Sequence, residues 1–138
     1  MKVKKLNKEL LDLYYKKDKK VYAYKAEDKV YLSDSYRAWI INNEDCVLDI
    51  NKMNNVDLTK FFNEDGYETG IKTNEMVQLE KYVGVYITNE DKSLKVVISQ
   101  KYLDVFENYT LKIKAEDKPV LVYEHEELVG LILPMRTF

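Results

Sequence analysis

The chain has 138 residues, of which 46% are hydrophobic and 33% charged, and its formal net charge is -2 at pH 7. This length fits one domain with a core of its own, so neither disulfide nor metal staples are needed. The near balance of charges excludes a protein that binds nucleic acid over its whole surface, and a single cysteine excludes an internal disulfide.

The first predicted element is an amphipathic helix from Val3 to about Lys17. Its apolar residues fall on one side when the sequence is placed at 100° steps around a helix. Only Glu9 and Asp12 interrupt the opposite, basic side, which consists of Lys4, Lys5, Lys8, Lys16 and Lys19. The simplest interpretation of this lysine face is a solvated helix surface.

Short strands follow, because β-branched and aromatic residues alternate with turn residues. They are predicted at Val21–Ala26, at Val30–Leu32, at Ala38–Ile41 and in the run "CVLDI" that begins at Cys46. The next twenty residues are polar and rich in turn formers. They predict a connection that contains one helical turn, at Leu58 to Phe62, with Asp57 as its cap.

The second half begins with a predicted hairpin, "YVGVYITNEDKSLKVVIS", which turns at "NEDKS". Ser99 is placed to cap a short helix over Lys101–Tyr109. Three more strands follow, in "LKIKAED", "PVLVYEHEE" and "LVGLILPM". The sequence therefore predicts an α+β fold in one domain, residues 1–138, with two pseudo-symmetric halves (about 1–65 and 66–138), each a helix packed on antiparallel strands.

No pattern of catalytic or metal-binding residues is visible. His125 is the only histidine, and without a second histidine or a nearby cysteine it is interpreted as part of a solvated turn. Glycine-rich phosphate loops and a nucleophile elbow are missing as well. We therefore expect no enzyme activity, no metal and no cofactor. No run reaches the roughly 18 apolar residues of a membrane span, and the N-terminus is unlike a signal peptide, so we expect a cytoplasmic protein without membrane partners.

Two stretches resemble a known family. The segment from Ile98 to the C-terminus contains "YLDV" at 102–105, "PVL" at 119–121 and "LPMR" at 133–136. In this order the motifs resemble the last domain of the bacterial DNA polymerase III β sliding clamp. The segment "KVYLSDSYRAWII" is similar to a strand–turn–strand of clamp domains through Asp34, Tyr36, Arg37 and Ala38, with Ser35 in place of the usual glycine.

The resemblance implies a DNA-clamp-like domain whose helices line a ring around DNA. Its lysine face (Lys4, Lys5, Lys8, Lys16 and Lys19) would then face the phosphates of double-stranded DNA without sequence specificity. The resemblance also implies a hydrophobic pocket for short peptides of replication or repair proteins. One wall would consist of Tyr36, Arg37 and Ala38, and the other of Leu133, Pro134, Met135 and Arg136. From the residues alone, the tail is interpreted rather as a packed last strand with a disordered tip.

Two functions remain open from the sequence. The first is a single-domain sliding clamp, a processivity factor that forms a ring of about six copies. The second is a clamp-like adaptor or decoy from a mobile element, which forms no ring and regulates the replication proteins of a host. The mass in solution would distinguish the two.

Overall fold

The computed structural model describes residues 1–15 and 20–135. Within them, one α-helix precedes ten strands. The helix is α1 (Val3–Tyr15), and the strands are β1 (Tyr22–Ala26), β2 (Lys29–Ser33), β3 (Arg37–Asn42), β4 (Asn54–Asn55), β5 (Glu68–Leu79), β6 (Tyr82–Thr88), β7 (Lys95–Ser99), β8 (Tyr109–Ile113), β9 (Val120–Glu124) and β10 (Glu127–Ile132).

All ten strands belong to one sheet in the order β4-β1-β2-β3-β10-β9-β8-β5-β6-β7. Neighbouring strands are antiparallel, except that β4 runs parallel to β1. The long strand β5 joins two parts of the sheet, because Glu68–Gly70 pair with β8 whereas residues from Ile71 onward pair with β6. After β10 the chain continues to the far edge, where the Met135 amide donates to the Val97 carbonyl of β7 at 2.8 Å.

The main core lies between α1 and the sheet. Leu6 and Leu10 of α1 are fully buried, and they belong to one cluster with buried residues from both ends of the sheet, such as Val30 of β2 and Ile98 of β7. Strands so far apart in the sheet order share one core because the sheet curves around it. Burial of this apolar surface is the main stabilising contribution to the fold.

A second, smaller cluster covers part of the opposite face of the sheet. It consists of Ala38, Leu121, Tyr123 and Leu131, with Phe62, Tyr67 and Leu128 packed against it. The connection between β4 and β5 supplies this cover. It is anchored by the Tyr67 hydroxyl, which donates to the Pro119 carbonyl at 2.8 Å, and by the Tyr123 hydroxyl, which donates to the Glu64 carboxylate.

The α+β class, the first helix and most of the predicted strands are confirmed, but the second helix is wrong. The chain forms only a 3₁₀ turn over Gln100–Leu103, the Ser99 side chain makes no capping hydrogen bond, and Tyr109 already begins β8. Val105 and Phe106 are buried in the main core. The described residues of the second half therefore contain no α-helix, and the two halves differ in their elements.

Two further differences lie in the middle of the chain. The run "CVLDI" forms no strand, because its start is held against α1 by the Asn7 side chain, whose Oδ1 accepts from the Val47 amide at 3.3 Å. Strand β5, the longest in the structure, is not recognisable in its mostly polar sequence. The predicted turn near Leu58 is present as a 3₁₀ turn, Thr59–Phe61, and the Asp57 carboxylate accepts from the Thr59 amide at 3.0 Å.

Candidate partner-binding surface

The turn between β2 and β3 is held by its own side chains. Asp34 Oδ1 accepts from the amides of Tyr36, at 3.0 Å, and Arg37, at 2.8 Å. Ser35 adopts a φ of 80°, in the left-handed region that favours glycine. The serine thus takes the backbone conformation that a glycine would have here, and the turn leaves the Tyr36 side chain 63% exposed.

Arg37 lies beneath this turn, and its side chain is only 10% exposed. Its guanidinium group lies between two rings, 4.2 Å from the centroid of Tyr102 and 4.8 Å from that of Trp39. Nε and Nη2 donate to Asp34 Oδ2 at 3.0 and 2.8 Å, and Nη1 donates to Glu9 at 3.3 Å. Three of the five N–H groups of the guanidinium thus donate to carboxylates, and two aromatic rings lie against it, so Arg37 supports the surface from below.

The C-terminal tail reaches this turn through the pairing of β10 with β3. Ile132 pairs with Arg37, and the next amide, that of Leu133, donates to the Tyr36 carbonyl at 2.9 Å. Leu133 is 39% exposed, whereas Met135 is half-buried, with its sulfur packed over Gly84 of β6. The tail is therefore attached to the sheet by its backbone while part of its apolar side chains faces solvent.

Two further tyrosines extend the same region. Tyr82 at the start of β6 is 41% exposed, and the Lys101 ammonium lies 4.5 Å from its ring centroid. Tyr102 is half-buried, and burial raises the pKa of its hydroxyl above the usual value, an effect that the positive charge of Arg37 opposes. Asp34, Tyr82 and Tyr36 also raise this pKa.

Together these residues form one surface, which we call the tyrosine–tail surface: Tyr36, Tyr82, Tyr102, Leu133, Pro134 and Met135. It contains Tyr36 and three of the four tail residues proposed from the sequence. Two others are buried, Arg37 beneath the surface and Ala38 within the second cluster. Arg136 lies outside the described residues.

Sequence reasoning missed Tyr82 and Tyr102 as part of this surface, and Lys101 as a residue at its border. The signal available was the tyrosine content, twelve residues against four phenylalanines. Tyrosine combines an apolar ring with a polar hydroxyl and is therefore frequent on surfaces that bind proteins. The sequence could not show which of the twelve lie together.

Three of the five residues of the predicted lysine face lie within the part of the chain that the structure describes. Lys4, Lys5 and Lys8 are exposed on α1. Lys16 and Lys19 lie outside the described residues, so the face is known only along the first turns of the helix.

His125 is exposed, as predicted, in the two-residue turn between β9 and β10. His125 and Glu126 both have positive φ, 52° and 65°, as a type I′ hairpin turn requires. Within residues 1–15 and 20–135, no group of three or more histidine, cysteine or acidic side chains could hold a metal ion. None of the helices described there is long and apolar enough to cross a membrane.

Comparison of the chain with protein-family models, with curated proteins and with solved structures gave no match. The tyrosine–tail surface consists of aromatic and aliphatic side chains bordered by one lysine. Such a surface can bind another polypeptide by burying apolar area.

Proposed function

We propose that the protein is a non-catalytic adaptor that binds short peptide segments of partner proteins at the tyrosine–tail surface. One observation carries this proposal. The tail and the "SDSYRA" turn, which belong to different walls in the resemblance, are neighbours within a single chain through the hydrogen bond from Leu133 to Tyr36. A pocket of this kind therefore needs no second domain.

The side chains suit a peptide ligand. Tyrosine offers a large contact area at a small cost in conformational entropy, and methionine adapts its shape to different partners. Arg37 lies between Trp39 and Tyr102 and holds the base of the surface in place. Because this support exists before binding, little free energy is lost in ordering the surface.

The class of partner rests on the resemblance to the sliding clamp. We propose peptides of replication or repair proteins, which a clamp-like adaptor or decoy would bind to regulate a host machinery. A ring around DNA is the alternative, and the exposed Lys4, Lys5 and Lys8 favour it. It has weaker support, because clamp domains place two helices against the DNA and α1 is the only α-helix in the described residues.

The test measures binding of a fluorescent peptide of the type that binds bacterial sliding clamps. We expect a dissociation constant in the micromolar range, about -8 kcal/mol. Tyr36→Ala should weaken binding at least tenfold. Tyr15→Ala is a matched control, since Tyr15 on α1 is exposed to a similar extent, 65% against 63%.

The proposal is contradicted if Tyr36→Ala leaves the affinity for the peptide unchanged, or if Tyr36→Ala and Tyr15→Ala lower it equally. Point variants are preferable to removal of the tail. Deletion of residues 134–138 also removes the hydrogen bond from Met135 to β7 and the packing on Gly84, so stability and binding would change together. Sedimentation at several concentrations decides the alternative, because a ring requires a mass several times that of the 16.4 kDa chain.

A further inference from the structure

A second surface lies between α1 and the loop that follows β3. It is a groove of about 310 Å³, lined by Lys4, Asn7, Lys8, Leu11, Asp12 and Val47. The five helix residues form two rows with spacings of three and four, Lys4–Asn7–Leu11 and Lys4–Lys8–Asp12, so they form one stripe along α1. The loop contributes the opposite side of the groove.

The groove is held in shape by Asn7, which is buried with 5% exposure. Its side-chain amide nitrogen donates to the carbonyls of Val3, at 3.1 Å, and Asp45, at 2.9 Å. Its oxygen accepts from the Val47 amide. One side chain thus fixes the loop to the helix, and a ligand would find the groove already formed.

Each side of the groove contributes one apolar side chain, Leu11 from α1 and Val47 from the loop. Val47 is 67% exposed, and it lies opposite the half-buried Leu11. An isolated exposed valine needs no explanation. Here, however, it lies in a concave site with a second apolar side chain, and such sites bind apolar groups of ligands.

The rim at the N-terminal end of the groove is basic. Lys4 and Lys8 stand four residues apart on the helix, and like charges at this spacing repel each other by about 0.2–0.5 kcal/mol. Lys5 is exposed beside them, and the first turn of α1 has no acidic residue. A negatively charged group near this rim would relieve the repulsion.

We propose that this groove binds an acidic amphipathic peptide, in which an apolar residue is inserted between Leu11 and Val47 and neighbouring carboxylates contact Lys4 and Lys8. The proposal is independent of the tyrosine–tail surface. DNA fits the groove less well, because phosphate contacts need positive charge and gain nothing from an exposed valine. Lys4 and Lys8 of the lysine face are thereby assigned to a protein partner.

The test uses the full chain and a labelled ten-residue peptide with a Leu-Phe pair flanked on both sides by aspartate and glutamate. A second peptide carries asparagine and glutamine in place of the acids. We expect the acidic peptide to bind at least tenfold more tightly than its neutral form. Lys8→Glu and Val47→Ser should each weaken binding of the acidic peptide at least fivefold.

Matched controls are Lys118→Glu, at an exposed lysine of the turn before β9, and Val56→Ser, at another exposed valine. Both should bind like the parent chain. Tyr36→Ala should also leave this affinity unchanged, which separates the groove from the tyrosine–tail surface. Circular dichroism of each variant verifies that it is folded.

Three results would overturn the proposal. One is the lack of binding of the acidic peptide up to 1 mM. Another is equal binding of the acidic and neutral peptides. The last is tighter binding of a 20-base-pair DNA duplex than of the acidic peptide, where Lys8→Glu weakens the binding of DNA and Val47→Ser does not.

Discussion

The strongest prediction concerns Arg37, which connects the turn, the helix and the base of the tyrosine–tail surface. Arg37→Met keeps most of the aliphatic stem and removes the guanidinium. The carboxylate of Asp34, whose side chain is 8% exposed, then loses its cation but keeps two backbone donors. Removal of one partner from a fully buried ion pair costs about 3–5 kcal/mol. Because those two hydrogen bonds remain, we expect about 2–3 kcal/mol here.

The lost contacts with the rings of Tyr102 and Trp39 add about 1 kcal/mol, after allowance for packing of the methionine. The contact with Glu9 adds little, because that side chain is 35% exposed and surface ion pairs contribute about 0–1 kcal/mol. The expected loss of unfolding free energy is therefore about 3–4 kcal/mol. In a domain of this size it lowers the melting temperature by roughly 10 °C.

Urea unfolding followed by fluorescence suits this measurement, because Trp39 is the only tryptophan and lies against Arg37. The double variant Asp34→Asn with Arg37→Met removes the buried charge of Asp34 together with its cation, and only the partly exposed Glu9 loses an ion pair. It should be more stable than the sum of the single changes implies, by about 1–2 kcal/mol. If Arg37→Met loses less than about 1 kcal/mol, or if the changes are additive, the network does not hold the turn as described.

Three further predictions follow from local geometry. Ser35→Gly should raise the unfolding free energy by about 0.5–1 kcal/mol. Glycine avoids the cost of about 1–2 kcal/mol that the left-handed conformation imposes on serine, but its greater conformational freedom in the unfolded chain offsets part of that gain. A variant that is less stable in urea than the parent chain would contradict this prediction. Gly130→Ala should lower stability by about 1–3 kcal/mol, because the new Cβ would lie 2.5 Å from a ring carbon of Phe106, and Phe106→Leu in the same chain should recover part of the loss. Burial and the Glu64 carboxylate raise the pKa of Tyr123 above its usual 10.0. The unfolded chain therefore loses this proton first, and the unfolding free energy should fall as pH rises above about 10. Thermal unfolding of Tyr123→Phe between pH 8 and 12 should show a smaller fall in stability, and a fall as large as that of the parent chain would refute the assignment.

The sequence alone determined those elements whose structure depends on neighbours in the chain. The period of α1, the alternation at Val21–Ala26, the β-branched and aromatic residues of the later strands, and the hairpin turns are local patterns, and they predicted the α+β class. The exposure of His125 follows from a two-residue turn and was predictable for the same reason.

The tertiary structure alone decided elements that depend on distant partners. Strand β5 has a mostly polar sequence without strict alternation, and it is extended because β6 and β8 supply hydrogen bonds to its two ends. The predicted second helix has a suitable apolar period. However, the segment forms only a 3₁₀ turn, because its side chains pack against distant residues: Phe106 against Gly130 of β10, and Tyr102 against Arg37.

The residues of the tyrosine–tail surface were likewise predictable from the sequence in part only. The sequence identified the turn at Tyr36 and the tail at Leu133–Met135 as unusual segments, but Tyr36 and Leu133 lie 97 positions apart in the chain. Only the pairing of β10 with β3 brings them together. Tyr82 at the start of β6 and Tyr102 in the turn after β7 join them only through the tertiary fold. Pairing between distant strands is set by the burial of one shared core, a property of the whole chain that no short segment encodes.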